Sequence, residues 1–402
     1  MANNNSKTKP TIKSDKILKK LQTIFAISVL SNIGCNKTGT QHELEDSISN
    51  DIKTLLDNKL VKRLFGEWEV VWGAGVFQSQ LSEKIQPQAD NVMFVAKGSF
   101  AGETAPQYII SIAGSLTIYD YVIEDFWVSE TVPWAELLEN STFNRTPRIS
   151  KGTEVGLKNL LNMAPGGVQL MELLKTMTGA SGEKVDIIVA GHSLGGALSS
   201  TLALYLADTQ DLWDTNKKAV LSVVPSAGPA VGNREFADYY DQRLGAVTTR
   251  IWNSIDMIPH LFHKSCLEQI PDLYLPEYPA GEQGKVMVEM AIKMSQNTNY
   301  SQIRHDTPGL PGTVIDEIKF MEMVKLLKNP FKFKHSSVIA YNEFLKFMTQ
   351  VGLQHTVEYF KLLYLDELLE LPRIKDMIEH VIGKVSLTDK GFKEFVEKLS
   401  ER

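Results

Sequence analysis

The chain is poor in cysteine and carries no surplus of positive charge, and each shortage excludes a class of protein. Cys35 and Cys266 are the only cysteines among 402 residues, so the chain can form neither a disulfide framework nor a cysteine-based zinc site. Lysine and arginine number 42 against 48 acidic residues, a net charge of -6 with no basic stripe along the chain. Because nucleic-acid binding needs such a stripe, we expect no nucleic-acid partner.

Long apolar runs are also scarce, and the one that stands out lies near the N-terminus. Lysines precede an apolar run over 21–33 that ends at Gly34-Cys35. This order is typical of an export signal, and a small residue before a cysteine resembles a bacterial lipoprotein signal. We therefore expect an exported protein, either membrane-anchored through a lipidated Cys35 or secreted, with a cytosolic amphipathic helix as the alternative. Elsewhere no stretch is apolar for long enough to span a bilayer.

In the middle of the chain, short runs rich in β-branched residues alternate with helical periodicity. The runs lie at 92–96, 108–113, 185–190, 219–224 and 247–252, and helical patterns lie at 154–177, 197–208 and 233–244. Such alternation is typical of an α/β protein, in which helices cover a mostly parallel central sheet. A hydrophobic content of 43% suits a well-filled core of this kind.

Helical patterns dominate both flanks of this region. One lies at 46–65, and others at 285–296, 316–328, 336–348, 354–371 and 390–399. We therefore divide the chain into an export or lipoprotein signal over 1–35, a helical lead-in over 36–91, a core over 92–345 and a C-terminal helical extension of the same domain over 346–402. The core carries an insertion at 260–334.

One motif carries a clear chemical signal. The predicted strand 185–190 runs into Gly191-His192-Ser193-Leu194-Gly195, and a predicted helix follows at once. In a strand, sharp turn and helix of this kind, glycines make room for a strained, exposed nucleophile. Ser193 is therefore the predicted nucleophile of an ester hydrolase, and the Leu194 amide at the helix start is a predicted oxyanion donor. His192 belongs to the turn geometry, and a purely structural glycine turn is the alternative.

An acid and a base are needed to activate such a serine. Asp256 follows a predicted strand and comes after Ser193, which fits the chain order Ser, Asp, His; its alternative role is that of a turn or cap carboxylate. Chain order cannot select the histidine, because five histidines follow Asp256: His260, His263, His305, His335 and His355.

Four segments resemble the class 3 lipase family, the fungal triacylglycerol lipase type, and the resemblance extends from about residue 92 to 341. They are the turn itself at 190–197, Ala-Gly-Pro-Ala-Val-Gly-Asn at 227–233, Trp-Asn-Ser-Ile-Asp-Met-Ile-Pro at 252–259, and Ala-Gly-Ser at 113–115. Arginine stands in the family where this chain has Ala113 and Ala230. The resemblance implies an α/β-hydrolase fold.

The resemblance also implies roles for particular residues. Ser115 would donate its amide, and its hydroxyl, to the oxyanion hole beside Leu194. Asp256 would orient the imidazole of the base, and His335, at a junction between a loop and a predicted helix, occupies a place similar to that of the family's base. Residues 116–127 would form a mobile lid, with an ordinary buried helix as the alternative.

The function implied is hydrolysis of carboxylic esters by a lipase acting on acylglycerols, through a Ser-Asp-His triad and an acyl-enzyme. Its partners would be a lipid or other ester substrate and the lipid–water interface; no cofactor and no metal are expected. A phospholipase A or a short-chain esterase using the same site is the first alternative, and a thioesterase or acyltransferase the next. A non-catalytic lipid-binding envelope protein is the alternative from another class. The sequence does not predict the oligomeric state.

Overall fold

A computed structural model of the protein describes residues 15–79, 87–115, 127–138, 144–315 and 343–385. Its strands are β1 (Trp68–Phe77), β2 (Asn91–Gly98), β3 (Gln107–Ile112), β4 (Thr131–Pro133), β5 (Arg148–Ser150), β6 (Val185–His192), β7 (Ala219–Ser226), β8 (Gly232–Asn233) and β9 (Tyr300–Ser301). Its α-helices are α1 (Asp15–Val29), α2 (Gln41–Leu56), α3 (Lys59–Phe65), α4 (Trp134–Leu137), α5 (Lys151–Asn162), α6 (Leu170–Ala180), α7 (Leu194–Asp208), α8 (Gln210–Trp213), α9 (Arg234–Leu244), α10 (Lys264–Leu267), α11 (Gly281–Ser295), α12 (Glu343–His355), α13 (Val357–Leu362) and α14 (Pro372–Val385).

Five strands form the central sheet in the order β1-β2-β3-β6-β7. β1, β2 and β3 pair antiparallel, whereas β3, β6 and β7 pair parallel. Beyond β7 the chain adds two isolated parallel bridges, Val223 to Thr248 and Ser226 to Ile251, where the sequence predicts a full strand. The predicted α/β-hydrolase fold is confirmed. The carboxyl ends of the parallel strands β3 and β6 lie side by side, and the turn of the predicted nucleophile follows β6 there.

Apolar side chains fill both faces of the sheet. In β6, Ile187 and Val189 face one cluster while Ile188 and Ala190 face the other, and all four are at most 2% exposed. A strand buried on both faces has a continuous apolar sequence, and this is why the 185–190 run shows no polar alternation. Apolar residues of α5, α6, α7 and α9 fill the first cluster, and those of α1, α2, α13 and α14 fill the second.

Turn residues break two helices that the sequence predicts as continuous. The pattern at 154–177 spans α5 and α6, which Pro165-Gly166-Gly167 separates with positive φ at both glycines. The pattern at 46–65 spans α2 and α3, and there the Asn58 side chain accepts the Leu60 amide at 2.8 Å to start the second helix. Helical periodicity continues across both breaks because each of the four helices buries apolar side chains on one face.

Residues 68–77 differ from the predicted helical lead-in, since they form β1 at the edge of the sheet. Gly73 and Gly75 interrupt the run and depress its β signal in the sequence. The strand forms because its backbone pairs with β2 from Trp68 to Phe77. Trp72 and Val76 are also buried, one in each of the two apolar clusters that cover the sheet.

The segment that resembles an export signal lies inside the fold. From Thr23 to Val29, α1 is buried against β3 and β6, and Cys35 is 2% exposed. Cleavage before Cys35 would remove this helix from the core. Export and lipidation stay predictions. Within the described ranges, no helix is both long and apolar enough to cross a membrane.

A third apolar cluster lies apart from the strands of the central sheet. It combines residues 257–300, including α10 and α11, with α12. These helices occupy part of the predicted insertion at 260–334. The predicted helices at 316–328 and 390–399, the start of that at 336–348 and the lid residues 116–126 lie outside the described residues.

Candidate active site

Ser193 lies between β6 and α7 in a backbone conformation that L-residues rarely adopt, with φ 64° and ψ -127°. The turn is closed so tightly that a β-carbon on Gly191 would overlap the carbonyl of Gly195, and one on Gly195 would overlap the carbonyl of Ile112. Both glycines are therefore required by close backbone approach. The strain points the serine side chain away from the strand, as a nucleophile elbow needs.

The Asp256 carboxylate is completely buried and accepts three hydrogen bonds. Its Oδ1 accepts the Ile258 amide at 3.0 Å, and its Oδ2 accepts the Tyr359 hydroxyl at 2.8 Å. The third partner of the carboxylate is His355, whose Nδ1 lies 2.8 Å from Oδ2. A carboxylate held on three sides has one orientation, and it fixes the imidazole that it contacts.

His355 is the last residue of α12, 99 residues after Asp256, and only 4% of it is exposed. Its main-chain carbonyl accepts the His192 Nε2–H at 2.7 Å, so the base-bearing segment is tied to the residue next to Ser193. The structure thus joins His355 to the Asp256 carboxylate through its ring and to the residue beside Ser193 through its main chain. His335 lies outside the described residues, and its assignment as the base stays a prediction.

Two other histidines that follow Asp256, His260 and His263, have different partners. His260 is buried, and its Nδ1 bonds the main-chain carbonyl of Asp256 at 2.7 Å, within a single turn of chain. His263 lies 3.1 Å from the Ser265 hydroxyl on a partly exposed turn. Neither contact involves the Asp256 carboxylate, which is the group able to stabilise an imidazolium.

The predicted oxyanion donors lie at the start of α7 and in the turn after β3. Leu194 is the first residue of α7, where the amides of the first turn have no acceptor within the helix and the dipole favours negative charge. Ile112 at the end of β3 pairs with Gly191, so Gly114 and Ser115 follow β3 directly beside the elbow. A β-carbon on Gly114 would lie 3.1 Å from the Ser193 Cβ. Leu194 and Gly114, the residue before Ser115, therefore lie next to the nucleophile.

His192 is a neutral, buried imidazole beneath the site. Its Nε2 bonds a carbonyl oxygen, which can only accept, so Nε2 carries the proton and Nδ1 faces the Ser226 hydroxyl at 3.1 Å. Burial, reinforced by the neighbouring His355, lowers the pKa of His192 to about 3. The ring stays uncharged at physiological pH and acts as a fixed donor to the His355 segment.

This neutral ring makes folding stability depend on pH. The pKa of His192 is about 3 in the folded protein and 6.5 when exposed, so between these values the unfolded chain binds the extra proton. The contribution of the neutral His192 ring to the free energy of unfolding is complete above pH 6.5 and decreases by about 1.4 kcal/mol per pH unit below pH 6.5. In urea unfolding at pH 7, 6 and 5, the free energy of unfolding should fall more steeply with decreasing pH for the wild type than for His192→Asn. Equal slopes would contradict the assignment of a neutral ring.

Sequence reasoning did not single out His355 or its neighbour Tyr359. No local signal marks them, because His355 ends α12, Tyr359 lies in α13, and the non-helical backbone of Thr356 separates the two helices. Among the described residues no group of three His, Cys, Asp or Glu side chains is arranged to hold a metal ion.

The chain is similar to known lipases over different lengths. Residues 111–265 match the family described as Lipase (class 3). The crystal structure of M37 lipase is 29% identical and superimposes with a TM-score of 0.71, covering 90% of this chain and 98% of that one. Lipase ZK262.3 of Caenorhabditis elegans is 38% identical over 101 residues, which are 25% of this chain and 26% of that relative. Galactolipase DONGLE, chloroplastic, of Arabidopsis thaliana is 36% identical over 93 residues, 23% of this chain and 20% of the relative.

The matches thus span about a quarter of the length of these curated relatives. The family match includes the Gly114-Ser115 loop, the Ser193 elbow and Asp256, while His355 lies beyond it. The likeness to M37 lipase covers almost the whole of that structure. The chain is therefore similar to the class 3 lipases over residues 111–265, and to M37 lipase over 90% of its length.

Proposed function

We propose that the protein hydrolyses carboxylic esters of lipids through an acyl-enzyme formed on Ser193. The observation that carries this proposal is the 2.8 Å contact between the Asp256 carboxylate and His355 Nδ1, on a segment joined to the elbow through His192. Together with the strained backbone of Ser193, this contact supplies a nucleophile, an imidazole and an orienting acid.

The base in this proposal is His355, in place of the His335 that the family resemblance implies. With Asp256 on Nδ1, the Nε2 atom of His355 is the one that takes the Ser193 proton. The serine oxygen attacks the ester carbonyl carbon, and the carbonyl electrons move to its oxygen. When the tetrahedral intermediate collapses, the C–O bond breaks, and the alcohol leaves with the proton from the imidazolium. Water, deprotonated by the same imidazole, then releases the acid and frees Ser193.

The first turn of α7 and the turn after β3 are proposed to stabilise the oxyanion. The Leu194 amide and the amide and hydroxyl of Ser115 are the proposed donors, since both residues flank Ser193 at the carboxyl ends of β6 and β3. Loss of one such donor costs about 2.7 to 4 kcal/mol of transition-state stabilisation.

The proposed substrates are acylglycerols, and phospholipids are the second candidate. Acylglycerols are what the fungal lipase resemblance implies. Support for phospholipids comes from a relative named Phospholipase A1 EG1, chloroplastic/mitochondrial, of Oryza sativa subsp. indica. All these lipids present the same ester carbonyl to Ser193, so the choice between them depends on the head-group side of the site. A lid over 116–127, and contact with a lipid–water interface through it, belong to this proposal as well.

A substrate panel tests this proposal. Release of fatty acid or alcohol is measured from p-nitrophenyl esters, a triacylglycerol emulsion and phosphatidylcholine vesicles, with Ser193→Ala as the blank. We expect hydrolysis of the short esters and of triacylglycerol, each above the blank. Higher activity on the vesicles than on triacylglycerol would favour the phospholipase. Activity equal to the blank on all three substrates would refute ester hydrolysis.

Export remains a separate proposal that rests on the N-terminal sequence alone. Its support is the order of lysines, apolar run and Gly34-Cys35. Because α1 and Cys35 are buried in the fold, the full chain and a chain cleaved before Cys35 would differ in their core, and their activities can be compared.

A further inference from the structure

The N-terminal segment reaches the loop that carries the proposed oxyanion donors. Asn32 lies in the 3₁₀ helix Leu30–Gly34, and its side-chain oxygen accepts the Gly114 amide at 2.7 Å, across 82 residues of sequence. A β-carbon on Gly114 would lie 3.1 Å from the Ser193 Cβ and 3.3 Å from the Asn32 Oδ1. One side of Gly114 therefore faces the nucleophile, and its amide is bound by Asn32.

The Asn32 side chain is itself fixed by its surroundings. It is 8% exposed, and its Nδ2 donates to the Val29 carbonyl at 3.3 Å. The end of α1 is joined to β3 by the Ser111 hydroxyl, which lies 3.2 Å from the Ile27 carbonyl and 3.1 Å from the Ser28 carbonyl. Since β3 leads directly into Gly114, Asn32 and the loop are held on the same rigid support.

We propose that Asn32 is a positioning residue that holds the Gly114-Ser115 loop in the conformation needed to stabilise the oxyanion. This inference rests on the proposed function. A bond to the Gly114 amide restricts rotation of the Ala113–Gly114 peptide, one peptide before the one that carries the Ser115 amide, so the loop holding the Ser115 donors is set before the substrate arrives. Oxyanion donors act through such preorganisation, and their gain is realised in the transition state. A loosened loop lowers kcat and leaves KM unchanged.

The Asn32 contact also has a consequence for a chain that is cleaved before Cys35. If Asn32 positions the loop, residues 15–35 are part of the active enzyme, and a chain that begins at Cys35 lacks this contact. The same segment also places Phe25 against Tyr359, the hydroxyl partner of Asp256, with ring centroids 6.1 Å apart. Two groups of the site are therefore supported by a helix whose sequence resembles a leader.

The test compares variants of the full chain on a soluble p-nitrophenyl ester, with active sites titrated by a fluorophosphonate. Asn32→Ala should lower kcat about tenfold, and Asn32→Leu, which also excludes a substituting water, about a hundredfold, with KM unchanged. Ser31→Ala is the matched control. The Ser31 hydroxyl is buried in the same 3₁₀ helix and donates to the Ser28 carbonyl at 2.7 Å. Its kcat should stay within about twofold of the wild type.

The outcomes separate this inference from the proposed function. A lowered melting temperature with unchanged kcat per titrated site would assign Asn32 a structural role and overturn the inference. Should Asn32→Leu fail to fold, Asn32→Ala decides by the same criterion. The intact mass of the phosphonylated wild type should include residues 15–35; labelled protein beginning at Cys35 with wild-type kcat would also overturn it. A wild type that neither reacts nor hydrolyses the ester would instead refute the proposed function.

Discussion

Ser193→Ala should lower ester turnover by about 10⁴-fold or more and should abolish labelling by a fluorophosphonate. The proposed acyl-enzyme forms on the Ser193 oxygen, and in a triad the loss of the nucleophile removes almost all of the chemical acceleration, leaving what the oxyanion donors and substrate binding provide. Ser193 has a positive φ of 64°, which alanine tolerates no worse than serine does, so the elbow should keep its shape. The measurements are the initial rate on a p-nitrophenyl ester and the mass of the protein after phosphonate treatment.

Ser200→Ala is the matched control for this prediction. Ser200 lies in α7, seven residues beyond the nucleophile, and its buried hydroxyl donates to the Ala197 carbonyl at 2.6 Å within the helix. That variant should keep both turnover and labelling. If Ser193→Ala still gained the phosphonate mass, the nucleophile would be another residue and the triad would have to be assigned anew.

The elbow could be predicted from sequence because all its determinants are local. A strand, a turn that demands glycine at Gly191 and Gly195, and a helix follow each other within 24 residues, from Val185 to Asp208. Each requirement is steric and applies whatever the rest of the chain does. The same holds for the sheet, where β2, β3, β6 and β7 lie where the β-branched runs predict them.

The base could not be predicted in this way. His355 reaches Asp256 across 99 residues, and its selection depends on how α12 packs against residues 257–300 in the third apolar cluster. No local pattern encodes that packing, so chain order left five histidines, and the family resemblance favoured His335 through its loop-to-helix position. The hydroxyl of Tyr359 and the ring of His355 reach one carboxylate oxygen together, and this coincidence is visible only in three dimensions.

The N-terminal helix shows a related limit. Lysines followed by an apolar run are typical of an export signal, and also of a helix whose second half is buried in a core. What distinguishes the two is a complementary surface. The Phe25 ring packs against such a surface, formed by the rings of His192 and Tyr359, at centroid distances of 5.8 and 6.1 Å. Hydrophobic periodicity records that a face is apolar, and it carries no information about which surface covers that face.

His355→Ala should lower turnover by about 10⁴-fold or more, whereas His335→Ala should stay within about threefold of the wild type. The difference follows from the Asp256 contact, because an imidazolium formed at His355 is stabilised by a carboxylate 2.8 Å from its Nδ1. Removing this ring should also slow phosphonate labelling of Ser193, since no base then takes the serine proton. Both variants are measured on a soluble ester, with rates expressed per folded protein from circular dichroism.

A control for the loss of a buried imidazole is His260→Ala, since His260 bonds the Asp256 main-chain carbonyl rather than its carboxylate. This variant should lose stability and keep most of its turnover per folded molecule. Tyr359→Phe separates the two donors to the Asp256 Oδ2: it removes one hydrogen bond from the carboxylate and leaves the imidazole contact in place. If His335→Ala is inactive while His355→Ala retains wild-type turnover, the base lies on the segment before α12. The contact between His355 and Asp256 then has a structural role, because a base must also reach the Ser193 oxygen.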